Sequence, residues 1–340
     1  MKAAHFSSQE LAKVLSHYDI GVITSAAPVL AGNARAPKLV LHSQRGTFLL
    51  KRRPHGKEDI RRVAFAHDVQ KFLAKAGFAV AALVSTTDEQ STMLCLDRHV
   101  YELFEFISGS RYNGSVHAAQ DAGLQLARFH ALLLSFTPHF KPLDSNYHDN
   151  PVVAAHFKMA AKLVKPKPNQ DITRLLHKLA AIYTAHVEHA NAVGLSHSAP
   201  RIIHGDWHPG NMLFSEDKVV AVVDFDSLKI APFEIDMANA LLQFSIVGSR
   251  PNPADWPAYL DEEKFTSFLT GCRSYEQSPR FDPAPVCDLM IEALICEAIA
   301  PIAATGTFGS VSGFEFLKMI YNKCRWIEKH REKLDALLNG

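Results

Sequence analysis

The sequence predicts an α+β protein of two lobes. Residues 1–107 form an N-terminal antiparallel β-sheet lobe with one packed helix, and residues 108–340 a larger, mainly helical lobe. Two textures carry this expectation. Short β-type runs broken by turn chemistry fill most of the first lobe, whereas helical periodicity takes over after Ser108-Gly109. A third observation qualifies it. Residues 202–226 return to short β-rich runs inside the helical region.

Taken in order, Ser7-Ser8-Gln9-Glu10 reads as a capping box opening a short helix with Leu11, Val14 and Leu15 on one face. Gly21–Ile23 leading to Val29-Leu30, then Lys38–Leu41 and Thr47–Leu50, read as strands, with turns at Gly32-Asn33 and Arg45-Gly46. Residues 56–76 show a helical apolar face, followed by strand candidates at 79–84, 93–96 and 101–107. Helices are expected at 117–134, 172–190, 234–246, 285–300 and 314–338, separated by Pro- and polar-rich loops.

Composition narrows the function. Of the residues, 47% are apolar and 21% charged, the ordinary balance of a globular protein, and the net charge of +1 gives no basic field for nucleic acid or membrane. No apolar run is long enough to span a bilayer and no signal peptide is evident at the start, so a cytoplasmic protein is expected. Five cysteines without a C-x-x-C pair read as reduced thiols. Nothing in the sequence sets the oligomeric state.

The chemistry gathers in "IIHGDWHPGN", residues 202–211. Turns use Asp, Asn, Gly and Pro simply to bend the chain, so this stretch alone is compatible with a plain turn. Thirteen residues beyond Asn211, however, "VVAVVDFDS" brings Asp224 to the end of an apolar strand. An amide oxygen from Asn211 and a carboxylate from Asp224 make a partial Mg²⁺ site of the kind completed by water and phosphate. Asp206 is then a separate carboxylate for the proton of an attacking hydroxyl. That set suits phosphoryl transfer.

The order His204-Gly205-Asp206, Asn211, Asp224-Phe225-Asp226 resembles the aminoglycoside phosphotransferase/choline kinase-like family, which shares the protein-kinase-like fold. The resemblance implies ATP and Mg²⁺ as cofactors, Asp206 as the catalytic residue, and Asn211 and Asp224 as metal ligands. It further implies that Lys51 of "GTFLLKRRP" contacts ATP phosphates. Backbone groups from Glu105 to Ile107 of "VYELFEFISG" would seat the adenine, and Asp236 of "FEIDMANAL" would support the catalytic loop. Strand alternation puts Lys51 and Arg53 on one side and Arg52 on the other. His204 is expected to buttress the loop. The roles of Asp226 and His208 stay open, as does whether Glu292 and Glu297 face a cavity or solvent.

Two features depart from the family pattern. The helix after Lys51 carries Ala66 or His67 where a carboxylate usually pairs with that lysine, with Glu58, Asp59 and Asp68 as substitutes. The nucleotide loop, Ala31–Arg35, holds one glycine. They motivate an alternative, a catalytically impaired kinase-like nucleotide-binding protein. Only nine residues separate Asp226 from Asp236, and no A-P-E follows, so the expected partner is a small-molecule hydroxyl substrate and not a peptide. Residues 1–107 hold 14 Lys/Arg against 10 Asp/Glu, and residues 227–340 hold 11 against 15, a mildly acidic acceptor region. Sugar, amino alcohol, amino acid and aminoglycoside-like acceptors all remain open. His186 and His189 lack a third metal ligand and are expected on a solvated face.

Overall fold

The computed structural model describes residues 4–29, 35–140, 147–166, 169–248, 250 and 252–340. The glycine-poor loop expected to hold phosphate lies, up to Ala34, outside the described residues. Two compact units organise the chain. One is drawn from Met1–Arg111, Ser135–Pro142 and Met212–Asp226, the other from Tyr112–Leu134, Leu143–Asn211 and Ser227–Gly340.

The first unit opens with α1 (Ser8–Leu15), whose capping box forms as the sequence predicts: Glu10 N–H donates to Ser7 Oγ, and Ser7 N–H donates back to Glu10. Strands β1 (Ile23–Pro28), β2 (Lys38–Ser43) and β3 (Gly46–Arg52) follow, then α2 (Ile60–Lys75), β4 (Leu94–Leu96) and β5 (His99–Glu105). The five strands form one antiparallel sheet in the order β1-β2-β3-β5-β4. Val14 of α1 packs with Leu41, Leu50, Tyr101 and Leu103 in its core. The helix expected from residue 56 starts later, because Asp59 caps it by accepting from the Arg61 and Arg62 N–H groups. The strand expected at 79–84 is reduced to isolated pairs, Val80 with Val222 and Leu83 with Phe104, since its two ends meet different partners.

In the second unit α3 (Val116–Leu133), α4 (Pro151–Leu163) and α5 (Gln170–Ala192) precede β6 (Pro200–Ile203). The hairpin β7 (Met212–Ser215) and β8 (Lys218–Val222) belongs to the first unit. The second resumes with β9 (Lys229–Pro232), paired antiparallel to β6, and with α6 (Phe233–Ser245), α7 (Glu262–Arg273) and α8 (Val286–Thr305). A two-strand ribbon, β10 (Thr307–Phe308) with β11 (Val311–Ser312), turns the chain into α9 (Gly313–Lys329) and α10 (Arg331–Asn339). Residues 303–314 therefore divide among the end of α8, this ribbon and the start of α9. The single helix expected at 314–338 breaks at His330, whose backbone leaves the helical region. Among the described residues, no helix is long and apolar enough to cross a membrane.

Helices α3 and α7 approach closely through glycine. A Cβ on Gly271 would lie 1.8 Å from the Gln120 carbonyl oxygen, and one on Gly123 would lie 2.0 Å from that of Phe268. Gly271→Ala must push the two backbones apart, and we expect a loss of about 2–3 kcal/mol in denaturant unfolding.

Candidate active site

In the second unit, β6 ends at Ile203 and the chain turns through His204 and Gly205. The turn is set by Asp236, in the first turn of α6. Its carboxylate accepts the backbone N–H groups of His204 (2.7 Å) and Gly205 (2.8 Å) and a bond from His130 Nε2 (3.1 Å). Asp236 is fully buried; burial pushes its carboxyl up, but His130 and these donors hold it below the usual range. This is the support the sequence assigned to Asp236. Gly205 takes φ +73°, and a side chain there would strike Lys229 and the Ser227 carbonyl.

Trp207 is fully buried against Phe129 and His204, which makes it the apolar anchor of the loop. His204, also buried, stacks edge-on against Phe129 and Trp207, so it braces the loop by packing. The loop then presents Asp206, whose Oδ2 accepts from Asn211 Nδ2 at 2.9 Å; the same amide donates to the Asp206 carbonyl at 3.0 Å. With its NH₂ so directed, Asn211 has its amide oxygen left to accept or ligate. His208 Nδ1 accepts the Gly210 N–H at 2.9 Å, which leaves the proton on Nε2, 3.5 Å from Asp206 Oδ1. Partial burial raises the Asp206 carboxyl, and His208, His204 and Asn211 outweigh it, holding the group ionised.

In the first unit the antiparallel register sets Lys51 of β3 directly opposite Glu102 of β5, with Nζ 3.6 Å from the carboxylate. Glu102 is buried and also accepts from Arg53 Nη2 (2.8 Å) and His67 Nε2 (2.7 Å). Arg53 reaches Asp226 at 2.8 Å as well, while Lys57 and Lys51 stand 3.6 and 4.0 Å from the same carboxylate. Burial raises the Glu102 carboxyl, but Lys51, His67 and Arg53 carry it well below its ordinary value of 4.5. Arg52 faces the other way and pairs with Glu10 at 2.6 Å, as alternation requires.

The carboxylate sought on the helix is thus on the neighbouring strand, and the helix contributes His67 as its hydrogen-bond donor. None of the three proposed substitutes reaches Lys51 among the described residues. Glu58 pairs with His55 and His99, Asp59 caps α2, and Asp68 takes the His139 backbone N–H. A lone Glu inside an apolar strand, three residues before Glu105, was the available signal. Asp224 stands exposed after β8 in the left-handed region at φ +64°, with no hydrogen bond or ion pair among the described residues. At the end of β5, Glu105 N–H bonds the Ala82 carbonyl and Phe106 N–H that of Thr47, while the Ile107 backbone has no such partner among the described residues.

Other polar groups of the second unit resolve differently from the sequence reading. His186 and His189 both reach Asp288, at 2.6 and 2.8 Å, in a network with Arg331; His186 is largely covered there, against the expected solvated face, while His189 stays exposed as expected. Glu292 is buried and bonded to His148. Glu297 is open to solvent and accepts from Gln243 Nε2 at 2.7 Å. The protein packed around it, and then the negative charge of Asp206, push its carboxyl up to about 7.

A lysine–carboxylate group on an antiparallel sheet, and an Asp-x-x-x-x-Asn loop clamped by a helix carboxylate, are the parts of a kinase-like phosphotransferase. The family comparison agrees. The phosphotransferase enzyme family matches residues 26–269, and the chain belongs to that family. No curated protein matches the sequence. Among solved structures, a microcompartment-associated aminopropanol kinase aligns with TM-score 0.71 at 16% identity, covering 97% of this chain and 99% of the other. An amicoumacin kinase in complex with AMP-PNP, Ca²⁺ and Ami gives 0.66 at 13%, covering 95% and 94%. The choline kinase of Cryptosporidium parvum Iowa II gives 0.61 at 13%, covering 96% of each. At these identities the likeness establishes the fold.

Removing Glu102 leaves Lys51 and Arg53 without their buried counter-charge. Glu102→Ala should cost about 3–5 kcal/mol in equilibrium unfolding. Because the folded carboxyl is depressed, its stabilisation is full above the ordinary value of 4.5 and is lost as pH falls further. Wild type should therefore lose more stability than the variant between neutral pH and pH about 3.

Proposed function

We propose that the chain is an ATP- and Mg²⁺-dependent kinase that transfers the γ-phosphate to a hydroxyl of a small molecule bearing an amino group. The observation that carries this reading is the Asp206–Asn211 pair, held by Asp236 in a loop that has no other evident structural need for two aligned polar side chains. Asp206 receives the acceptor hydroxyl. As the oxygen attacks the γ-phosphorus, the bond from phosphorus to the β–γ bridging oxygen breaks and ADP leaves. The hydroxyl proton passes to Asp206 and then to solvent. Since the Asp206 carboxyl is held low, its main work is to orient the hydroxyl and take the proton late.

Asn211 and Asp224 are proposed as metal ligands. The donor set fits a hard divalent ion: the Asn211 amide directs its nitrogen to Asp206 and keeps its oxygen available, and the Asp224 carboxylate is exposed and unpaired among the described residues. When bound, Mg²⁺ would neutralise phosphate charge. Lys51, fixed by Glu102, is proposed as a phosphate contact, and backbone groups from Glu105 to Ile107, with the Ile107 amide unengaged, as the adenine seat. The amino group is proposed from Glu297, a solvent-open carboxylate bonded, among the described residues, to the neutral amide of Gln243, so that a cation is the ligand complementary to its charge.

A ³¹P NMR screen of ATP and Mg²⁺ with amino alcohols, hydroxy-amino acids, sugars and aminoglycosides tests the reading. A new phosphomonoester on an amine-bearing acceptor is expected; nucleotide binding without transfer to any compound would leave the impaired, nucleotide-binding alternative standing. Asp206→Asn should lower kcat by about 10²–10⁴-fold with the fold intact. Glu297 gains its charge as pH rises through about 7. The KM for the amine acceptor should therefore fall by about tenfold from pH 6 to pH 8, and Glu297→Gln should flatten that dependence.

A further inference from the structure

Lys229 is a cation the preceding reading does not use. The β6–β9 register sets it opposite Ile203, the last residue before the catalytic loop. Its side chain then runs along the loop: a Cβ on Gly205 would lie 2.5 Å from Lys229 Cε and 3.1 Å from Nζ. Gly205 is therefore the residue whose missing side chain leaves room for an ammonium next to Asp206.

No hydrogen bond or ion pair engages that ammonium among the described residues. Asp236, the nearest candidate in charge, already accepts from His130, His204 and Gly205. Asp206 accepts from Asn211 and faces His208. Both carboxylates act on Lys229 through space, and burial still draws its ammonium below the ordinary range. A partly desolvated cation that pairs with neither adjacent carboxylate is poorly explained as a structural ion pair, and such groups mark binding sites.

We propose that Lys229 binds an anionic oxygen group at the acceptor end of the site beside Asp206. The group is either the phosphoryl in transfer or an anionic substituent of the acceptor. The inference rests on the kinase reading for its place in a reaction, though not for the presence of the anion site. Gly205 and Lys229 act together in it, since the glycine admits the lysine. Glu297 and Lys229 then give the acceptor region one carboxylate and one ammonium near the same base.

Two measurements on the full chain test it. In lysine acylation mapped by mass spectrometry, inorganic phosphate should protect Lys229 while the exposed Lys178 is unchanged; equal labelling of Lys229 with and without phosphate overturns the site. In the acceptor screen, Lys229→Met should lower kcat by about 10²-fold for every acceptor if the anion is the transferring phosphoryl group. If the anion belongs to the acceptor, KM should rise by about tenfold or more for carboxylate- or phosphate-bearing acceptors alone. Lys229→Arg should retain most activity in both cases. A folded Lys229→Met with wild-type kcat and KM throughout overturns the role in transfer. Should the wild type phosphorylate nothing in the screen, the kinase reading fails, and the labelling experiment still decides whether Lys229 binds an anion.

Discussion

The buried carboxylate of Asp236 is the constraint on which the site depends. Two consecutive N–H groups, of His204 and Gly205, point at one side chain, and only a turn with Gly205 at positive φ allows both to do so. Charge-assisted bonds to a buried carboxylate are stronger than neutral ones and costly to leave unmade. The loop is thereby fixed at its root by polar bonds, and two residues further on by Trp207 in the apolar core. Between those fixed points Asp206 has little freedom. Preorganisation of this kind matters where the reaction consists largely of positioning and electrostatics.

The first unit solves a related problem by different means. Lys51 is held by a carboxylate, and that carboxylate comes from across the sheet. Strand register is a rigid source of placement, because a slip of one residue would turn Glu102 to the opposite face. The surrounding cations settle the other open carboxylate too. Asp226 is tied to Arg53 and Lys57 and stands at the edge of contact with Lys51, which makes it a brace for the loop that bears Asp224. Asp224, two residues earlier, keeps its carboxylate clear of every such pair among the described residues.

Much of this was legible in the sequence, for identifiable reasons. The sheet lobe and the long helices follow from period-two and helical patterning, and the capping box of α1 and the facing of Lys51 and Arg53 follow from local stereochemistry. The spacing of Asp206, Asn211 and Asp224 marked the candidate residues, of which the structure pairs Asp206 with Asn211. What escaped depended on tertiary placement. Glu102 becomes Lys51's partner through strand register, which one-dimensional spacing does not reveal. Helix α7 combines a polar sequence with a glycine that makes sense only against α3, and β9 is four residues long and becomes a strand by pairing with β6. The place of Trp207 depends on Phe129, 78 residues away in sequence and brought to it only in the folded core.

Asn211 and Asp224 are each proposed as ligands of the metal that accompanies the nucleotide in phosphoryl transfer. Electron paramagnetic resonance of Mn²⁺, substituted for Mg²⁺, tests this most directly. A bound Mn²⁺ signal is expected that requires ATP and disappears in both Asn211→Ala and Asp224→Asn, with each variant folded. A nucleotide-dependent Mn²⁺ signal that persists unchanged in both variants would contradict it.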